Sequence, residues 1–544
     1  MKALLMHRDR DFDPQQELPW NERTLTQDLE LGVLFGTMAR GDEFLRDVAR
    51  KSVLSGLRND LDTILYRLGV VKDALRGPAV VRELYRLAIE AIESRKRSFF
   101  GMLGNYPSTV LHGSIEVLEA FMGVLVKMRR IADDVATQFE SDGFTGLFAT
   151  LRRELSDDYF ASVREHLGEL RFRRGVLLSA ELGAGNEGTH HVLLKSHDVR
   201  RRWFEWILPF GRPPEYTVWI AERDQAGAQA LTELRDRGTA SVARALGESA
   251  DHVLSFFQML RTELAFYVGC LNLHDALTAN GHPVCMPRPA PAGGRPHRFS
   301  GLYDVPLALT TGGAVVGNAA EGDGKRLVVV TGANQGGKST FLRSVGLAQL
   351  MMQSGMFVGA ESFEAALSPV LATHYKREED ATMKSGKLDE ELARMSEIAD
   401  HLAPGAMVLF NESFAATNER EGSEIARQIV SALLEKGVKI FYVTHLYDFA
   451  HEYFERRVEE AIFLRAERKP DGTRTFRIVE GAPLETSYGA DLYREIFESA
   501  SAGSATDGGT SAAPRDGIGA SPESVGELPG RENLAHSQAD QPKP

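Results

Sequence analysis

The sequence predicts a multidomain chain: a mainly α-helical region carrying a small β insert, followed by an α/β domain built on a phosphate loop. Three observations predict it. From Thr24 to Gly168 apolar residues recur three and four apart with few Pro or Gly interruptions, the spacing of amphipathic helices. From about Phe299 to Phe497 strand-like apolar runs alternate with helical ones, as in a mostly parallel sheet covered on both faces. One of those strands is joined to its helix by a glycine-rich loop ending in Lys338 and Ser339.

With 544 residues, 43% hydrophobic and 26% charged, the chain can bury the cores of two or three domains. Its formal charge of −13 excludes a polycation that coats nucleic acid by bulk charge, so any such contact must come from local basic patches. Two cysteines, Cys270 and Cys285, are too few for a disulfide framework and fit a reducing compartment. No apolar stretch approaches the ~18 residues that cross a bilayer. The opening Met1–Met6 meets His7-Arg8-Asp9 before a signal segment can develop. The expectation is a cytoplasmic protein with no membrane partner.

In chain order, residues 1–23 form an N-terminal segment and residues 24–282 the helical domain. Its clearest stripe is Leu54, Leu57, Leu61, Ile64, Leu68, Val71 and Leu75, a helical 3-4 alternation over three heptads that stops at Gly77-Pro78 and reads as an intramolecular helix-packing seam, with a dimeric coiled coil as the alternative. Within about 170–223, three short runs, Gly175–Ala180, His191–Lys195 and Tyr216–Ala221, read as strands of the β insert. Helices resume from about Ala226 to Asn280. Pro283, Pro287, Pro289 and Pro291 with Gly293-Gly294 mark a linker over 283–298, and the α/β domain follows over 299–497. Residues 498–544 read as a disordered tail, since Ser501–Pro544 has no aromatic residue and is rich in Gly, Ser, Ala and Pro.

The chemistry sits in the α/β domain. Arg326–Val330 is a buried-strand run that leads into Gly332-Ala333-Asn334-Gln335-Gly336-Gly337-Lys338-Ser339-Thr340 and then an apolar helix, which is G-x-x-x-x-G-K-S in strand–loop–helix context. Glycines let backbone N–H groups close round phosphates, and the helix N-terminus adds partial positive charge. Lys338 is placed to reach the β and γ phosphates of ATP, and the Ser339 hydroxyl to ligate Mg²⁺. A second strand, Met407–Phe410, delivers Asn411 and Glu412 at its C-terminal edge, with Glu412 as general base toward the attacking water. A third, Lys439–Thr444, ends in His445, a candidate contact for the γ-phosphate.

These pieces together resemble the ATPase domain of the MutS family of DNA mismatch-repair proteins. The loop Gly332–Thr340 is similar to the family's G-P-N-M-G-G-K-S-T, and Thr444-His445-Leu446-Tyr447 to its T-H-Y. Ser385-Gly386 followed by Met395–Ala399 resembles its S-G … M-T-E-T-A, and Glu412 with Thr417 and Gly422 its D-E-x-x-x-x-T … G. The resemblance covers about Val316 to Ala450 specifically. It implies an ABC-type ATPase whose two nucleotide sites form between two subunits of a dimer, each borrowing Ser385-Gly386 from its partner, with Mg²⁺ held by Ser339 and by Asn411 or Glu412. It also implies a helical lever acting on DNA.

Three departures bear on the expected activity. Asn411 stands where the family has an Asp, which keeps a carbonyl oxygen and loses a negative charge at a hard cation. Phe414-Ala415-Ala416-Thr417 replaces the family's G-R-G-T. The residues ahead of the helical region are too few for a mismatch-reading domain. The expected function is therefore an ATP-dependent DNA-binding protein of repair or recombination, a homodimer that closes on mismatched, branched or otherwise distorted duplex. The alternative is a slow-turnover, nucleotide-gated protein acting on RNA, ribosomes or a protein partner. Basic clusters at Arg95–Arg97, Lys127 with Arg129-Arg130, Arg171 with Arg173 and Arg174, and Arg200, Arg201 and Arg202 beside Trp203 and Trp206 are the candidate DNA contacts.

Overall fold

The computed structural model describes residues 1–100, 106–173, 175–194, 216–377, 386–469 and 473–484. The chain divides into two units, Met1–Gly489 and Ala490–Pro544. The second, which holds the expected tail, lies outside the described residues.

The helical part opens with α1 (Glu22–Asp28), α2 (Leu31–Ala39), α3 (Glu43–Leu54), α4 (Leu61–Arg76), α5 (Pro78–Phe100), α6 (Pro107–Val135), α7 (Asp142–Glu154) and α8 (Asp157–Leu170). Side chains of Asp42, Asp60, Ser141 and Ser156 accept first-turn amides of α3, α4, α7 and α8, so each helix starts where a capping residue satisfies its orphan donors. A hairpin of β1 (Leu177–Leu182) and β2 (Gly188–Leu194) follows, and then α9 (Gln225–Ala279). At 55 residues α9 is roughly 80 Å long. Its C-terminal half, from Phe256 to Leu277, is the buried spine against which α2, α3, α5 and α6 pack. Its N-terminal half is largely exposed and meets the hairpin, where Leu178 lies against Gly238.

The N-terminal segment is built into this spine. Ala3, Leu5, Met6 and Phe12 are buried. The amides of Leu5 and Phe12 donate to the two oxygens of Glu263 on α9, at 2.6 and 2.8 Å, and the Tyr267 hydroxyl donates to the Leu5 carbonyl. Arg67 on α4, itself buried, donates to the Met6 carbonyl at 2.9 Å.

Beyond α9 come β3 (Arg288–Ala290), β4 (His297–Leu302), α10 (Val305–Thr311), β5 (Asn318–Glu321), β6 (Leu327–Thr331), α11 (Lys338–Gln353), β7 (Ser362–Ala366), β8 (Leu371–Tyr375), α12 (Lys387–His401), β9 (Met407–Asn411), α13 (Glu419–Glu435), β10 (Lys439–Val443), α14 (Tyr447–Glu455), β11 (Ala461–Arg468) and β12 (Arg474–Glu480). Six strands make one sheet in the order β12-β11-β6-β10-β9-β8, parallel except at β12; β3-β7-β4-β5 make a smaller sheet. The runs Leu327–Val330, Met407–Phe410 and Ile440–Val443 are buried throughout, as strands covered on both faces must be. Register aligns Val330, Val443 and Asn411 across β6, β10 and β9, so the C-terminal ends of all three strands reach one edge of the sheet.

Three expectations are corrected. The Leu54–Leu75 stripe is not one helix: α3 ends at Leu54, a 3-10 turn occupies Ser55–Arg58, and Asp60 caps a new helix. Gly56 in that turn lies so close to Ser354, at the end of α11, that a Cβ would stand 2.7 Å from its backbone. Tyr216–Ala221 is not a strand; Tyr216 and Trp219 are exposed, and the segment pairs with no strand among the described residues. Finally, the helix Pro107–Gln138 is long and apolar enough by composition to cross a bilayer, with a window of mean hydropathy 1.5. Its apolar face is used within the fold, where Phe121 meets Phe257 of α9 at 5.3 Å between ring centroids and α5 covers its flank.

Candidate nucleotide site

The site grows from the end of β6. After Thr331 the chain enters the loop through Gly332 at φ 112°, a conformation that side-chain-bearing residues rarely adopt, and a Cβ there would lie 3.0 Å from the Ala466 amide of β11. Gly336 is equally confined, its notional Cβ 2.8 Å from the Ala466 methyl and 2.9 Å from the Ala333 carbonyl. Gly337, at φ 88°, caps α11, so that the helix begins at Lys338 with its N-terminus toward the loop.

Lys338 is 4% exposed, and its ammonium donates to the carbonyls of Gly332 and Ala333 at 2.8 and 3.0 Å. Burial pulls its pKa below the ordinary lysine value, against the opposing pull of the nearby Glu412 carboxylate. The Ser339 hydroxyl donates to the Asn411 side-chain oxygen at 2.9 Å, which joins the loop to the end of β9. Glu412 follows at φ 54°, its amide donating to the Val443 carbonyl of β10 at 2.8 Å. His445, two residues past β10, places Nδ1 4.0 Å from the nearer Glu412 oxygen.

A cavity of about 450 Å³ opens on the loop. Asn334–Thr340 and Glu412 line it together with the apolar side chains of Tyr303, Leu307, Val315, Val316 and Phe476. The residues fit a magnesium nucleotide. Two oxygen donors already stand within hydrogen-bond distance, a carboxylate sits beside them, and glycines leave the loop room that a Cβ would fill.

Of the residues expected from sequence, Asn334, Gln335, Gly336, Gly337, Lys338, Ser339, Thr340 and Glu412 line this one cavity, and Asn411 and His445 adjoin it through Ser339 and Glu412. Gly332 and Ala333 form the loop wall that receives the lysine. Gly386 is elsewhere, capping the N-terminus of α12, and is not among the cavity's lining residues. Ser385 lies outside the described residues, as do Arg174, Arg200, Arg201 and Arg202. Arg173 is exposed. The other basic clusters are largely neutralised by acidic neighbours, with Arg95 on Asp251, Lys127 on Glu90, Arg129 on Asp133 and Arg171 on Glu119.

Sequence reasoning missed the apolar lining residues of the cavity and Arg474, whose guanidinium donates to the loop residue Gln335 at 2.7 Å. Arg474 and Phe476 reach the loop because β12 doubles back antiparallel along β11. Alternation in Arg474–Glu480 marks a strand, but nothing in it marks the return.

A parallel sheet whose adjoining strand ends gather a glycine-rich loop, an amide and a carboxylate, joined to a long helical spine, defines a phosphate-loop protein with a helical arm. Two family models match: the MutS2 N-terminal domain over residues 59–280 and MutS domain V over residues 328–499. The chain belongs to the MutS family. It is 31% identical to "Endonuclease MutS2" of Thermus thermophilus over 181 residues, 33% of this chain and 23% of the relative. It is 34% identical to "DNA mismatch repair protein MutS" of Thermotoga neapolitana over 173 residues, 31% of this chain and 21% of that protein. A longer match is "Endonuclease MutS2" of Streptococcus equi subsp. zooepidemicus, 24% identical over 477 residues, 84% of this chain and 57% of the relative. The chain thus spans about a quarter or less of the first two relatives and just over half of the third.

Proposed function

We propose that the protein is an ATP-driven DNA-binding switch of DNA repair or recombination, acting as a homodimer. The observation that carries this reading is the meeting of Lys338, Ser339 and Glu412 on one cavity at the C-terminal edge of the sheet, with Asn411 bonded to Ser339 beside it. Ligands of such sheets bind at that edge. Loop amides and Lys338 hold the phosphates, with the lysine exchanging its two carbonyl partners for phosphate oxygens. Ser339 and Asn411, with Glu412 beside them, hold Mg²⁺, which when bound neutralises phosphate charge. Glu412 takes the proton from water as its oxygen attacks the γ-phosphorus and the bond to the bridging oxygen breaks, releasing ADP and phosphate. His445 faces the same phosphate. The apolar lining residues Tyr303, Leu307, Val315, Val316 and Phe476 receive the base.

Each site is completed in the dimer by Ser385-Gly386 of the second subunit, and the helical arm, with the β hairpin at the exposed half of α9, closes on DNA. Mismatched, branched or otherwise distorted duplex is the substrate class. One observation favours a second reading, a nucleotide-gated protein of slow turnover acting on RNA, ribosomes or a protein: the Ser339 hydroxyl is committed to a neutral amide, which offers the metal no charge.

Steady-state ATP hydrolysis without DNA and with perfect, mismatched and branched duplexes, with Lys338→Ala as blank, tests the proposal. A rate that responds to one DNA form and vanishes in the blank supports it. A rate indifferent to every DNA rejects the first reading and directs attention to the second.

A further inference from the structure

We propose that Glu391 and His374 are positioning residues for Glu412, holding the turn that presents it and tying that turn to the first turns of α12. The proposal rests on the reading of the site as an ATPase and adds two residues that line no part of the cavity.

The turn after β9 needs holding. Glu412 at φ 54° and Phe414 at φ 62° both occupy the left-handed region without being glycine. Neighbours fix each residue between and beyond them. The Phe414 amide donates to Glu391 Oε2 at 2.7 Å, and the Tyr442 hydroxyl donates to the Ser413 carbonyl at 2.9 Å. The Ser413 hydroxyl lies 2.6 Å from the His374 carbonyl and 2.7 Å from His374 Nδ1. His374 Nε2 donates to the Glu391 carbonyl at 2.9 Å, and its ring stacks on Phe414 with centroids 5.2 Å apart. His374, Glu391, Ser413 and Phe414 are all buried. Burial holds the imidazole neutral, its pKa pulled down to about 4, and its one ring proton sits on Nε2, which donates it to the Glu391 carbonyl.

Glu391 is the telling residue. The buried positions of α12 are Glu391, Met395 and Ile398, the i, i+4, i+7 spacing of a core-facing stripe. A carboxyl in such a stripe is costly where a leucine would fill the space, and burial raises its pKa accordingly. Among the described residues its Oε1 has no hydrogen-bond partner. What the carboxyl secures is the Phe414 amide, two residues from Glu412. Because Glu391 stands one turn into the helix that begins after Gly386, any shift of that helix start moves the Phe414 amide and, through it, Glu412.

The test compares Glu391→Leu, Glu391→Gln and Ser413→Ala with the wild-type chain in three readouts: steady-state ATP turnover, affinity for a fluorescent ATP analogue with Mg²⁺, and amide hydrogen exchange over residues 411–417. Thermal melting confirms folding. Glu391→Leu should lower kcat about tenfold or more, with KM and analogue affinity within about twofold, and should speed exchange in the turn about tenfold. Glu391→Gln keeps an acceptor for the Phe414 amide and should restore most of both, whereas a purely apolar packing role would be served by leucine at least as well as by glutamine. Unchanged kcat and exchange in Glu391→Leu, or turnover and affinity falling together in both Glu391 variants, overturns the proposal. Should Glu391→Leu not fold, Ser413→Ala decides: it should lower kcat and speed exchange in the same sense, and wild-type behaviour in both refutes the network. Wild-type turnover no higher than a Lys338→Ala blank refutes the ATPase reading itself, while the exchange comparison still decides the contact.

Discussion

Glu263→Gln is expected to gain stability relative to the wild-type chain as pH rises from 5 to 8. Glu263 is 0% exposed and accepts the Leu5 and Phe12 amides. Burial outweighs those bonds and pushes the carboxyl up from 4.5 to about 7. The folded chain therefore keeps a proton that the unfolded chain releases. A folded pKa above the unfolded one contributes stability that is present below about pH 4.5 and lost as pH rises through about 7. The full gap is worth about 3 kcal/mol. Linkage puts about 1 kcal/mol of the loss before pH 5 and nearly all of it before pH 8, so the advantage of the variant should grow by about 2.5 kcal/mol between the two. The amide of Gln also turns one acceptor into a donor facing an N–H group, a pH-independent cost that cancels in the difference. Guanidinium denaturation of both proteins at the two pH values, followed by far-ultraviolet circular dichroism, measures it. A difference that does not change with pH, or that moves toward the wild type as pH rises, refutes the reasoning.

Three further outcomes follow from the same geometry. Asn411→Asp keeps the acceptor for Ser339 and makes its bond charge-assisted; magnesium-dependent turnover should rise about tenfold, and an unchanged rate removes the neutral amide as the limiting feature. Gly56→Ala drives a Cβ to 2.7 Å from the Ser354 backbone and should cost about 1–3 kcal/mol in denaturant melts. Gly36→Ala, in α2 with nothing within 4 Å of the new Cβ, should be neutral or stabilise by up to about 1 kcal/mol; equal losses in the two would show that close packing is not the cause.

What the sequence discloses of the site is what lies close together in the chain or at the end of a buried run. Gly332–Thr340 is one contiguous motif, and Asn411, Glu412 and His445 follow the apolar runs Met407–Phe410 and Ile440–Val443, whose parallel register brings their ends together. Contacts across long separations leave no such trace. Leu5 and Glu263 are 258 residues apart, and nothing in residues 1–23 marks the carboxylate that receives their amides. Glu391 looks like one more acid on a charged helix, and only burial beside Phe414 distinguishes it. The Leu54–Leu75 stripe misleads because its 3-4 spacing continues in phase across Ser55–Asp60, where the chain breaks the helix to bring Gly56 onto Ser354. The apolar stretch of α6 is interrupted by charges in sequence, and its burial against α9 is a property of the packing alone.

The proposed function requires Gly332–Thr340, with Asn411 and Glu412, to hold a magnesium nucleotide. Isothermal titration of ATP into the wild-type chain and Lys338→Ala, each with and without Mg²⁺, tests it most directly. Saturable binding of about one nucleotide per chain, strengthened by Mg²⁺ and weakened about tenfold or more by Lys338→Ala, is the predicted result. Absence of saturable binding, or binding that the Lys338→Ala change leaves untouched, would contradict it.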